Sequence, residues 1–174
     1  MLKFRSRYLS VGLALVVALG GGVLVANVAR AAVSDDKIGL IVDNCESIRL
    51  NLKKVRTSDA LTRVGLGRNY EFMLNKMMVN MNSRLATNHK DAGDLLSITA
   101  KFSENLEYFR KNYILYDQQI GRLENIDCRK NPRDFYESLE KARWLRGEVR
   151  FNFTKLNELL EEYEMELEGV ARRL

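Results

Sequence analysis

The stretch LLSITAKFSENLEYFRKNYILYDQQIGRL, residues 95–123, decides the fold. Leu95, Thr99, Phe102, Leu106, Phe109, Tyr113, Tyr116, Ile120 and Leu123 follow one another at alternating steps of four and three. That alternation keeps all of them on one stripe of a single helix, and a stripe with this period is the seam of coiled-coil packing. Thr99 is its one soft position. A helix from Asp91 to Asn125 would be about 52 Å long.

Outward from the seam, the polar run Asn88 to Asp94 breaks the period and predicts a turn. On the other side, Ile126-Asp127-Cys128-Arg129-Lys130 ends the helix and Asn131-Pro132-Arg133-Asp134 restarts one. Asn suits the cap, Pro suits the first helical position, and Asp complements the N-terminal dipole. Phe135, Leu139, Ala142, Arg146, Val149 and Phe153 then step by four and three, as do Leu156, Leu160, Tyr163, Leu167, Val170 and Leu174. Before the first turn, Ile41, Cys45, Ile48, Leu52 and Val55 form one stripe behind a cap at Ser34, with Asp35 and Asp36 in the first turn. Tyr70, Leu74, Met77, Met81 and Leu85 form another. Between these two, Thr57-Ser58-Asp59 sets three capping residues in a row and the phase is lost at Leu61 and Val64, which predicts a kink or helix restart. Gly65 and Gly67 weaken the turns that follow. The expected fold is all-α: an elongated antiparallel three-helix coiled-coil-like bundle over residues 32–174, running up, down and up.

Residues 1–31 read as an export leader. Lys3, Arg5 and Arg7 precede an uncharged run from Tyr8 to Ala29 that is long enough for a bilayer span. Ala29-Arg30-Ala31 has the small-x-small form of a cleavage site, and Gly20-Gly21-Gly22 would weaken a long helix. The leader is therefore a signal peptide cleaved near Ala31 or a membrane-anchor helix. In both readings the N-terminus stays cytoplasmic and the rest of the chain is exported. The first cysteine, Cys45, lies too far downstream for a lipoprotein, and the Phe and Glu of a type IV pilin leader are missing.

Four of the five net positive charges lie in this leader. Four basic residues (Lys3, Arg5, Arg7 and Arg30) precede the first acidic one, Asp35, and the remainder holds 24 basic residues against 23 acidic ones. The balance gives nucleic-acid binding no support.

Cys45 and Cys128 test the topology. In an exported chain two cysteines are expected to pair rather than act as a redox couple, since they are not closely spaced. A hairpin turning near residue 90 sets residue 45 opposite residue 135, within two helical turns of Cys128.

Other candidate residues carry weaker chemistry. His89, the single histidine, lies near Asp91 and Asp94, but one imidazole makes a poor metal site and a solvated turn residue is the simpler reading. Met73, Leu74, Met77, Met78 and Met81 read first as adaptable core filling, then as a partner surface, and last as a Cu(I) site. Arg146 interrupts the last seam, where its guanidinium would need a partner such as the rings of Tyr113 or Tyr116. Arg129 to Arg150 is mildly basic, suiting anionic headgroups or acidic wall polymers, and Glu158 to Glu168 is acidic; both read as solvated faces. Asn152-Phe153-Thr154 matches a glycosylation sequon, but Phe153 is a seam residue. No histidine accompanies a nucleophile and no glycine-rich phosphate loop occurs, so neither catalytic residues, metal nor cofactor is expected.

Cys45-Glu46-Ser47-Ile48, Ser58-Asp59-Ala60-Leu61-Thr62-Arg63-Val64, Asn82-Ser83-Arg84 and Ile126-Asp127-Cys128 together resemble an uncharacterised family of exported two-cysteine helical proteins from reduced-genome bacteria. The likeness runs from about Asp43 to the end and implies export, helices and paired cysteines, without an activity. The expected function is that of a non-enzymatic structural or interaction module of the cell envelope, with an envelope protein partner or a second copy of itself. The alternative is an extracytoplasmic sensor or ligand-binding bundle. As the sequence to Leu174 carries no second span or output domain, that sensor is expected to act through a partner.

Overall fold

The computed structural model describes residues 34–173. The leader expected over 1–31 and the seam position Leu174 lie outside the described residues. Helix α1 spans Asp35–Asp43 and α2 spans Cys45–Phe72. A π-helical turn, Met73–Met78, leads without a break into α3, Val79–Thr87. After the turn come α4, Gly93–Glu124, and α5, Pro132–Arg172. The described residues are all-α, with no strand, and form a helical bundle. None of their helices is long and apolar enough to cross a membrane.

All nine seam residues of α4 are buried, joined by Ile98 and Gln119. Asn112 on α4 bonds Asn152 on α5, and further on Gln119 bonds Ser138, so these helices run antiparallel. Asp59 bonds Arg146, and Tyr70 bonds Asn157, so α2 and α5 run parallel. At 1.5 Å per residue α4 is about 48 Å long and α5 about 62 Å.

Three expectations need correction. No kink or restart occurs at Thr57-Ser58-Asp59, because α2 runs straight through them. The hydroxyls of Thr57 and Thr62 donate to the carbonyls four residues back, of Lys53 and Ser58, which leaves the helix intact. The actual irregularities are at Asn44, which separates α1 from α2, and in the π-turn. That turn holds the second error. Its wider winding advances the inward face by one residue, so Met78 is buried in place of Met77.

In α5 the third error concerns alternate seam positions. Leu145, Asn152 and Leu159 are buried where Arg146, Phe153 and Leu160 were expected. Phe135, Ala142, Leu156, Tyr163 and Val170 hold their expected places. Asn152 hid the stripe because it is polar, and its amide oxygen takes a 2.7 Å hydrogen bond from Asn112.

Cys45 and Cys128 form a disulfide, with Cα atoms 5.7 Å apart. It ties the start of α2 to the α4–α5 connection and is buried with Ile41, Leu123, Phe135 and Ala142. Closing 83 residues of sequence removes chain entropy worth roughly 4–5 kcal/mol from the unfolded state. Toward the other end of the bundle, Tyr163 donates to the Asn82 carbonyl at 2.9 Å and Asn82 donates to the Thr99 hydroxyl at 2.8 Å. The Thr99 hydroxyl in turn donates to the carbonyl of Leu95 at 2.7 Å, so the soft seam position both accepts and donates.

Candidate functional site

Cys45 and Tyr70, at the two ends of α2, are its only buried residues. Between them a cleft runs along α2 and α5, floored by α4. It has two lobes, of about 670 and 520 Å³, which share Tyr116, Arg143 and Arg146. Ile48, Leu52, Val55, Ile120 and Leu139 make the larger lobe apolar. Leu66, Phe109, Tyr113, Val149 and Phe153 do the same for the smaller.

Asp59 lines the smaller lobe beside the shared Tyr116 and Arg146. Arg146 grips its carboxylate from α5 with two hydrogen bonds, of 2.7 and 2.8 Å, and the Tyr116 hydroxyl donates to it from α4 at 2.6 Å. Partial burial pushes the Asp59 carboxyl up, but the bonds from Arg146 and Tyr116 and the guanidinium charge outweigh it and hold the group below the usual carboxylate range. Tyr116 is driven the other way, by burial first and then by its bond to the carboxylate. Arg146, expected to lie on the tyrosine rings, is therefore an ion-pair partner. Arg63 takes the ring contact, with its guanidinium 4.4 Å from the centre of Tyr113.

A second polar strap lies one helical turn away. Arg56 reaches from α2 to Asp117 at 3.0 Å and to Glu124 at 2.8 Å on α4. Its guanidinium lies over Gly121, where an added Cβ would sit 3.3 Å from Nη2. The middle of α2 is thus fastened by charges and edged by an apolar cleft.

The residues singled out from the sequence are scattered. Met73, Leu74 and Met81 are partly buried against the core and Met78 is 1% exposed, whereas Met77 is 55% exposed, and Phe72 and Val79 are exposed too. His89 lies in the α3–α4 turn in the left-handed region, at φ 54°. Its N–H bonds the carbonyl of Ala86, and that of Lys90 bonds Leu85, closing a Schellman cap. Among the described residues no group of three or more His, Cys, Asp or Glu could hold a metal ion. Asp59 and Arg63 are cleft residues whose contacts the sequence did not suggest. The available signal was Arg146 itself, since a charge in an apolar seam demands an acidic partner on a facing helix. No family model, curated protein or solved structure matches the chain.

Proposed function

We propose that the chain is an exported, non-enzymatic helical module of the bacterial cell envelope that works by binding an envelope protein partner. The observation that carries this reading is the buried Cys45–Cys128 disulfide, a bond that persists in oxidising compartments. The leader over residues 1–31 supports it, either as a cleaved signal or as an anchor with a cytoplasmic N-terminus. So does the resemblance to exported two-cysteine helical proteins. In this reading α4 and α5 act as a coiled-coil-like strut, and exposed apolar residues such as Met77 and Phe72 meet the partner. Fractionation with intact-mass measurement tests the location: recovery with the envelope or the medium supports it, and a cytoplasmic protein with reduced thiols rejects it. Cross-linked capture from envelope extract tests the partner. A specific envelope protein lost on Met77→Asp supports the module, and a chain recovered alone rejects it.

The two-lobed cleft favours a second reading, that of an extracytoplasmic ligand-binding bundle acting through a partner. Its mark would be a small molecule that raises the melting temperature of a chain retaining no protein.

A further inference from the structure

We infer that the smaller lobe of the cleft binds a single-chain anionic amphiphile, its carboxylate head between Arg63 and Arg150 and its apolar chain on Phe109, Tyr113 and Phe153. The inference rests on the ligand-binding reading and names the ligand class for it. Size comes first. At about 520 Å³ the lobe falls in the small-molecule range.

Charge decides the class. Four arginines, at 63, 143, 146 and 150, line this lobe against a single carboxylate, Asp59. Asp59 already accepts three hydrogen bonds and holds Arg146. Arg143 is paired with Glu140. Arg63 and Arg150, from opposite walls, have no carboxylate within 4.0 Å among the described residues. Arg63, its guanidinium carbon 4.4 Å from the centre of the Tyr113 ring, has N–H groups to offer an anion. Below these cations the lining is apolar, so an inorganic anion would leave it in contact with water and a neutral chain would leave two cations without a partner. A molecule with both features satisfies both surfaces.

The test is calorimetric titration of the full chain, disulfide intact, with dodecanoate below its micellar concentration, with dodecanol and acetate as comparisons. Dodecanoate is expected to bind one to one, with dodecanol about tenfold weaker or more and acetate failing to compete. Arg63→Gln with Arg150→Gln should weaken dodecanoate by about tenfold or more, and Thr62→Trp, on the exposed rim, should block it sterically. Circular dichroism confirms that both variants remain helical. Equal binding of dodecanol, blocked by Thr62→Trp, overturns the anionic class and leaves the cleft reading standing. Competition by acetate at equal affinity reduces the site to an anion contact and overturns the proposal, as does dodecanoate binding indifferent to the variants. No saturable binding of any probe overturns the proposal and the ligand-binding reading together.

Discussion

Asp59 and Arg146 meet 87 residues apart in sequence, with Nε 2.7 Å from Oδ2, and Tyr70 meets Asn157 at the same separation. An equal offset at two points is the signature of parallel helices in fixed register. Because α4 runs between them in the chain, the ion pair joins the first and last legs of the bundle directly. The two partners are unequal, however: Asp59 is shared with the buried Tyr116 hydroxyl, while Arg146 serves Asp59 and is largely exposed.

Truncating the two should therefore cost different amounts. Asp59→Ala leaves the Tyr116 hydroxyl without its acceptor and should destabilise by about 1–3 kcal/mol. Arg146→Ala removes an exposed partner from a carboxylate that keeps Tyr116, and should cost about 0.5–1 kcal/mol. Urea unfolding of each variant checks the order, and equal losses would mean that the Tyr116 bond contributes nothing.

The same node makes stability depend on pH with a definite sign. The Asp59 carboxyl lies below its ordinary value in the folded chain, so it binds a proton less readily than in the unfolded chain. Its contribution is complete above the unfolded value of about 4 and is lost as pH falls through the folded one. Tyr116 is raised, so its contribution is complete below about 10 and is lost as pH rises. Asp59→Asn should reduce the acid limb of the stability profile in part, because backbone N–H groups also hold Asp127 below its ordinary value. Tyr116→Phe should reduce the alkaline limb only in part, because burial also raises Tyr70, Tyr113 and Tyr163. Melting temperatures from pH 2 to pH 11 test both limbs, and an Asp59→Asn profile that keeps the full acid slope would contradict the assignment.

His89 supplies a stabilising change. Its φ of 54° is a conformation in which a side chain costs roughly 1–2 kcal/mol and glycine is at ease. Set against glycine's greater freedom when unfolded, His89→Gly should still gain about 0.5–1 kcal/mol. Thermal unfolding checks it. A lower melting temperature would show that the imidazole makes a contact of its own.

How far the sequence revealed this arrangement depended on which residue types carried it. The α4 seam was legible because eight of its nine positions are large and apolar, and period alone places such residues. The disulfide was legible because the chain has two cysteines and a hairpin turning near residue 90 brings Cys128 within two helical turns of the position opposite Cys45. The stripe of α5 was half legible: Asn152 faces inward through a bond to Asn112, and no hydropathy pattern marks a polar residue satisfied across helices. At Thr57-Ser58-Asp59 local preference pointed to a break, but the Thr57 hydroxyl bonds backward along α2 and the Asp59 carboxylate accepts bonds from α4 and α5. The cleft was hidden for the same reason. It exists where α2 is held by long polar side chains, whose reach periodicity does not measure.

The π-turn offers the sharpest remaining test, because it is a local excess of chain between two correctly phased helices. From Tyr70 to Met78, both buried, eight residues span what a regular stripe would cover in seven. Deleting exposed Asn75 within the turn should restore regular winding and leave Tyr70 and Asn82 facing inward, at a cost of about 1–2 kcal/mol from repacking Met78. Deleting exposed Lys111 from α4 has no such reserve to draw on. It rotates every later seam residue by about 100°, carrying Tyr113, Tyr116, Ile120 and Leu123 off the core, and should abolish cooperative folding. Urea unfolding of the two deletions separates the cases. Comparable collapse in both would mean that Met73–Met78 is a required shape, with Met78 fixed where only the wider turn can place it.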